Sequence, residues 1–254
     1  MTTLRSAIRT PDGKRRYVRR LFATIADRYD LITRLLSYGQ DRRWKRRALA
    51  LAGIGWGDRV LDLACGTGDL LLPAAAVARR AVGLDVTLRM LELARARAGD
   101  EVSFRAQADR RPAFVAGDMV ALPFPDASFD VVTTGYGLRN VPDLLQAVRE
   151  IHRVLAPAGR LVSLDFNRPS NTLVRHAYLA YLTVVGSALG LALHRDPDTY
   201  RYIPESIRNY PGARGVADTL EQHGFEAVRV RPVLGGLMAI HVARRSAASS
   251  PSAL

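Results

Sequence analysis

The chain has 254 residues, 37 of them lysine or arginine against 24 aspartate or glutamate, for a net charge of +13, and 48% are hydrophobic. That length suits one large α/β domain with an appendage, and the apolar content excludes wholesale disorder. A single cysteine, Cys65, excludes an internal disulfide and suits a reducing cytosol, while five histidines without ligand spacing argue against a metal centre.

No charged, apolar and small-residue series opens the chain, so no signal peptide is expected. Residues 1–15 are expected to be flexible, 16–243 to form a single domain, and 244–254 to be a disordered tail. Helices are predicted across 16–52, where Val18, Leu21, Phe22 and Ile25 recur at helical spacing. Basic residues concentrate at the same end: Lys14, Arg15, Arg16, Arg19, Arg20, Arg42, Arg43, Lys45, Arg46 and Arg47. That excess alone fits nucleic acid, an anionic membrane or plain solubility.

Strands then alternate with helices, at 59–64, 81–85, 113–117, 129–134 and 160–166 against 69–79, 87–98 and 143–155. The strand cores Val60–Ala64 and Leu161–Leu164 are nearly all apolar, as parallel strands covered on both faces must be. Residues 105–112 read as a polar, arginine-rich loop insertion. A helix at 214–223 and strands at 226–232 and 236–243 close the sheet with an antiparallel pair. The predicted fold is thus α/β: a Rossmann-like, doubly wound sheet, mostly parallel, with N-terminal helices. Residues 168–212 are too many for a plain connection. Within them Ala177–Leu193 holds no charged residue, yet it is shorter than the roughly 20 residues a bilayer requires. It also contains Gly186, Ser187 and Gly190, so a helical lid with an apolar inner wall is expected.

The chemistry begins at Asp62-Leu63-Ala64-Cys65-Gly66-Thr67-Gly68, an apolar strand running into a glycine turn, answered by Asp85 at the end of the next strand. Glycines at 66 and 68 let a ligand approach the backbone, and Asp85 can accept from two ribose hydroxyls. A dinucleotide fingerprint needs a third glycine where this chain has Leu71. Without a pyrophosphate signature the turn reads as a nucleoside site, with S-adenosylmethionine the leading candidate. Cys65 reads as a small residue packed under the turn. Gly117-Asp118-Met119 ends the third strand, with Asp118 facing an adenine amino group and Met119 packing on its ring. Gly135-Tyr136-Gly137-Leu138-Arg139-Asn140 follows the fourth strand, where a substrate would sit.

With Leu122–Asp130, these motifs resemble a class I S-adenosylmethionine-dependent methyltransferase. Three more are similar to the ubiquinone/menaquinone biosynthesis C-methyltransferases. They are Ala26-Asp27-Arg28-Tyr29-Asp30-Leu31 with Leu36–Gly39 and Arg43-Trp44, then Gly137–Val141, then Tyr200–Ile207. The resemblance spans about 18–243 and implies C-methylation of a polyprenylated quinol, demethylmenaquinol to menaquinol first and the ubiquinone branch as the alternative. It implies cofactor contacts at Thr67, Asp85, Asp118, Met119 and Gly135, to which the glycine turn adds Asp62, Ala64, Gly66 and Gly68. The chain departs from the family at Ile32-Thr33 (commonly Met-Asn), Asp41 (histidine), Ala158-Gly159 (Gly-Gly) and Asp165-Phe166-Asn167 (Glu-Phe-Ser).

Methylating a hydroquinone carbon requires an aligned methyl donor, loss of a phenolic proton with a pKa near 10, and a group to hold the phenolate. No metal is needed. Asp165 is the first candidate base, then Asp196, Asp198 and His194. Arg139 and Asn140 are candidates to hold ring oxygens, and Tyr136, Tyr200 and Tyr202 to flank the ring or relay a proton. Each also has a purely structural reading: a turn cap, an ion pair, packing. The basic helices and apolar lid together suggest peripheral contact with an anionic membrane at its inner, cytoplasmic face, and a homodimer is possible. The competing functions are methylation of another prenylated or aromatic metabolite, a nucleic-acid methyltransferase, and a non-catalytic adenosine binder. The nucleic-acid reading lacks the Asn/Asp-Pro-Pro-aromatic motif after the fourth strand.

Overall fold

A computed structural model describes residues 4, 8, 10–100 and 110–247, so most of the expected 105–112 loop and the end of the tail lie outside the described residues. Three helices come first: α1 (Pro11–Ile25), α2 (Tyr29–Leu36) and α3 (Asp41–Ala52). The first begins inside the stretch expected to be flexible. Thr10 caps it by accepting the Gly13 amide at 3.1 Å, and Pro11, whose missing N–H costs nothing at that position, starts the turn. Thr10-Pro11-Asp12 is a helix-start signature that outweighs position near a terminus.

The sheet follows: β1 (Arg59–Leu63), α4 (Leu71–Ala75), β2 (Arg80–Asp85), α5 (Leu88–Asp100), β3 (Ala113–Ala116), β4 (Phe129–Gly135), α6 (Leu144–Val154) and β5 (Leu155–Phe166). Its strand order is β3-β2-β1-β4-β5-β7-β6, with β6 (Phe225–Val233) and β7 (Met238–Arg245) antiparallel, as the sequence suggested. β7 carries Arg244 and Arg245, which pair with Glu226 and Phe225, so the ordered chain runs past the predicted tail boundary. β5 starts earlier than expected because Leu155 already pairs with Phe129. The register then shifts before Arg160 pairs with Val131, and Ala158 turns there with φ +60°.

Burial fixes the layers. Val60 and Val131 point to a cluster with Trp44, Ala48, Leu71 and Ile240, while Leu61 and Val132 point to one with Val148, Ile151 and Leu220. Alternate residues of each central strand therefore feed opposite cores. Strand order reverses between β1 and β4, which pair in parallel, so a crevice opens at their carboxyl ends.

Between β5 and the closing helix α9 (Gly212–Gln222) stand α7 (Thr172–His194) and α8 (Tyr202–Arg208). Asn171 caps α7 by accepting the Val174 amide at 3.1 Å. The helix is longer than the uncharged run within it, and by length and composition it suffices to cross a membrane. One face is nevertheless buried, with Tyr178, Leu179 and Leu182 packed against Ile207. Gly186 and Gly190 serve close approach: a Cβ at Gly190 would lie 2.4 Å from the Asp196 carbonyl.

Candidate active site

The glycine turn sits over the crevice. Ala64, Gly66 and Gly68 take φ of +51°, +53° and +92°. Gly83 below makes room for Cys65: a Cβ there would meet its Sγ at 2.8 Å, so the thiol packs under the turn as expected. Asp85 Oδ2 accepts the Gly66 amide at 2.9 Å and Oδ1 the Thr87 amide at 2.8 Å. A carboxylate has about four acceptor positions, so one remains on each oxygen for a vicinal diol. Burial raises the Asp85 pKa against the pull of those amides. Asp118 and Met119 face Asp85 across the same pocket, with Gly135, Gly137 and Asn140 on its far wall.

That pocket holds only about 80 Å³, well under the ~300 Å³ of a typical ligand site. Arg15, Val18 and Phe22 of α1 reach into it, and Arg15 Nε bonds Asp118 Oδ2 at 2.7 Å. As it stands, α1 fills part of the space that a nucleoside would take.

Next to the turn a separate small cavity is lined by Lys45, Asp62, Thr67, Asp69 and Gly135, among others. Lys45 Nζ stands 2.6 Å from Asp41 and 2.7 Å from Asp69. Burial alone would lower its pKa, but Tyr29, Asp69 and Asp41 outweigh that and raise it. Asp62 is sealed beneath, accepting Thr133 Oγ1 at 2.7 Å, and burial pushes its carboxyl up to about 7. Thr67 donates to Asp30 of α2 at 2.7 Å.

Beside these lies a larger cavity of about 530 Å³, roofed by α1, α2, α7 and α8. Its walls are mostly apolar or aromatic, Phe22, Trp44, Phe166, Tyr178, Leu182 and Leu237 among them, with Thr33, Ser37, Thr199 and Arg139 as the polar exceptions. Tyr29 and Tyr136 border both chambers. Tyr136 holds a left-handed φ of +62°, fixed by its amide on the Leu164 carbonyl at 2.7 Å and by its hydroxyl, which donates to Asp41. Such strain persists where surrounding structure imposes it, commonly at working sites.

Arg139 forms part of the floor. Its Nη1 donates to Ser206 Oγ at 2.8 Å and to Asn140 Oδ1 at 3.3 Å, and its plane lies 4.7 Å over Phe166. Nε stands 3.0 Å from Asp165 Oδ1 as an ion pair, yet its N–H is not directed at that oxygen and has no hydrogen-bond partner. The buried Tyr202 hydroxyl is also unpartnered. Both residues line the chamber, though these two atoms are themselves sealed from it.

Asp165 lies lower, outside the cavity lining. Its oxygens accept the amides of Arg139 at 3.1 Å and Phe166 at 2.8 Å. Burial raises its pKa against the Arg139 cation. It orients Arg139 and reaches no cavity. Asp196 and Asp198 sit in the turn after α7, Asp196 accepting from Thr199 and the Asp198 amide, Asp198 paired with Arg201. His194 Nε2 lies 2.8 Å from the Tyr200 hydroxyl, so it touches the cavity wall only through Tyr200. Asn140 lines the nucleoside pocket, its Nδ2 donating to the Tyr136 carbonyl at 2.7 Å. Sequence reasoning gave no role to Lys45, Tyr29 or Tyr178. Tyr29 had a signal in its Arg-Tyr-Asp setting, and Lys45 was hidden in an arginine-rich helix.

A glycine turn at the strand-order switch, an acid on the neighbouring strand and a non-polar chamber beside them define a class I methyltransferase site. The chain belongs to the ubiE/COQ5 methyltransferase family, whose model matches residues 10–245. It is 40% identical over 234 residues to the demethylmenaquinone methyltransferase of Mycobacterium sp. (strain KMS), covering 92% of this chain and 96% of the relative. With the protein of that name from Thermus thermophilus it shares 41% over 230 residues, covering 89% and 100%. A solved S-adenosylmethionine-dependent methyltransferase from Aquifex aeolicus shares the fold at 17% identity, with a TM-score of 0.54 over 79% of this chain and 89% of that one. The protein is an S-adenosylmethionine-dependent methyltransferase.

Proposed function

We propose that the protein methylates a ring carbon of a polyprenylated quinol, demethylmenaquinol before the ubiquinone precursor. The supporting observation is the chamber itself: walled mainly by apolar and aromatic side chains, bordering the nucleoside pocket, and with Arg139 as the one cation among the described residues of its lining. A flat aromatic ring with a hydrocarbon tail suits such walls, with Arg139 beside it to meet a ring oxygen. The relatives named for demethylmenaquinone support this branch.

S-adenosylmethionine supplies an electrophilic methyl group when bound. Asp85 would hold its ribose, Asp118 and Met119 its adenine, and Lys45 with Thr67 its carboxylate, while Gly66, Gly68 and Gly135 would leave it space beside the backbone. Arg139 holds the ring oxygen beside the reacting carbon as it becomes anionic. Among the cavity-lining residues there is no carboxylate or histidine, so Asp165 acts through Arg139 and is not the base. The proton passes to the Tyr136 hydroxyl as that hydroxyl hands its own to Asp41. The relay then returns a proton to the ring oxygen, while the hydrogen on the methylated carbon leaves as the single proton that the overall reaction releases to solvent. Tyr200 and Tyr178 flank the ring. No metal enters this scheme.

Transfer of labelled methyl to reduced demethylmenaquinol tests the scheme: Tyr136→Phe should lower kcat at least tenfold with cofactor affinity unchanged. Equal kcat would remove Tyr136 from the proton path.

A further inference from the structure

The lid helix has two apolar faces. Tyr178, Leu179, Leu182, Gly186 and Gly190 are buried. On the opposite side Leu173, Ala177, Ala180, Tyr181, Val184, Ala188 and Leu191 are all exposed. These positions, separated by three or four residues along the helix, make one continuous stripe. Leu173, Val184 and Leu191 are exposed by 80%, 69% and 60%. Across the cavity mouth α2 adds Leu31 and Leu35, and Tyr38 in the turn after it stacks on Tyr181 at 6.5 Å with the two hydroxyls hydrogen-bonded. Val174, Ala177, Tyr181 and Tyr38 line the cavity and are exposed as well. The stripe and the chamber are therefore one continuous apolar surface.

Cations flank it. Arg168, Arg175, His176 and Arg208 line a groove of about 340 Å³ at the amino end of α7. Arg208 pairs with Glu205 at 2.8 Å. Arg175 bonds only the Pro169 carbonyl and Thr172 hydroxyl, at 3.4 Å each, and Arg168 has no partner among the described residues. No carboxylate occurs anywhere in α7.

We propose that α7 and the exposed edge of α2 dock on an anionic lipid bilayer, with Arg168, Arg175 and Arg208 on headgroup phosphates. This surface differs from the arginine-rich helices α1 and α3 that the sequence singled out. It rests on the quinol reading, because docking there presents the cavity mouth to the layer that holds the substrate's tail. One buried face keeps α7 lying in the interface, where an amphipathic helix inserts its apolar side about 5–10 Å. Coverage by a second copy fits less well. It would seal the mouth, and an isologous contact would set these cations on a helix with no acid to meet them.

The test is flotation of the full chain with vesicles of phosphatidylcholine alone or mixed with phosphatidylglycerol, together with turnover of a short-tailed quinol in solution. The wild type should float with the mixed vesicles and be released by salt. Val184→Asp should weaken that binding at least tenfold, and Arg168→Gln with Arg175→Gln should abolish the preference for anionic lipid. All variants should turn over the short-tailed quinol at the wild-type rate, which shows that they are folded. Binding by Val184→Asp equal to wild type would overturn the proposal, as would a wild type that stays in solution. A wild-type dimer that Val184→Asp dissociates would make the face a subunit interface and also overturn it. Vesicle binding without methyl transfer to any quinol would sink the substrate reading alone.

Discussion

Replacing Arg139 with methionine keeps most of the volume over Phe166 and removes the cation beside Asp165. That carboxylate is 1% exposed and has no other cationic partner within ion-pair distance among the described residues. Breaking a buried pair on one side costs about 3–5 kcal/mol, whereas removing both charges is often near neutral. Arg139→Met should therefore lose about 3–5 kcal/mol of unfolding free energy. Asp165→Asn should lose a similar amount, because it strands the guanidinium and gives up one of the two backbone amides the carboxylate accepts. The double variant should recover at least roughly 2 kcal/mol relative to the sum, within the range that contacting residues show. Urea unfolding followed by circular dichroism measures all four proteins. Additivity within about 0.5 kcal/mol would refute the pairing and return Asp165 to the list of candidate bases.

Lys45→Met should weaken S-adenosylmethionine binding by calorimetry at least tenfold. Binding of the decarboxylated analogue should be equally weak in variant and wild type, and an equal loss for both ligands would give Lys45 a purely structural role. Asp62 has a folded-state pKa of about 7 against 3.8. Its stabilising contribution is present below the lower value and is lost as pH rises through the upper one, by up to about 4 kcal/mol. Asp62→Asn, which cannot ionise, should flatten the fall in urea midpoint between pH 4 and 7, and parallel curves would contradict it. Ala158 stands at φ +60°, where an L-residue is strained by roughly 1–2 kcal/mol. Ala158→Gly should raise the calorimetric Tm by about 2 °C, and a lower Tm would show that the strain is offset.

The layered sheet was legible because its strands obey simple rules: Val60–Ala64 is apolar enough to be covered on both faces, and the glycine turn with Asp85 marks the switch point. The grouping of the candidate cofactor residues was legible for the same reason: Asp85, Asp118, Met119 and Gly135 lie at or just beyond strand ends and line one pocket, with Thr67 on the cavity next to it. The substrate side was not. Arg139 was found by its motif, but its coupling to Asp165 depends on a register between β5 and the turn after β4 that no local pattern encodes. Asp196 and Asp198 were candidates by proximity in sequence, and the Arg195 turn carries them away from the cavity. Lys45 looked like one more surface cation because its burial arises under the ring of Tyr136, far along the chain, whose hydroxyl donates to Asp41. The helix start at Pro11 was missed for a different reason, as Thr10-Pro11-Asp12 was read as a fraying terminus.

The central claim is that the apolar chamber receives a quinol and that a ring carbon is methylated. The most direct measurement offers reduced demethylmenaquinol and the reduced demethylated ubiquinone precursor side by side with S-adenosylmethionine carrying a labelled methyl group, and locates the label by mass spectrometry. The account predicts label on a ring carbon, with demethylmenaquinol the better acceptor. Cofactor binding with no label in either quinol, or label on oxygen, would contradict it.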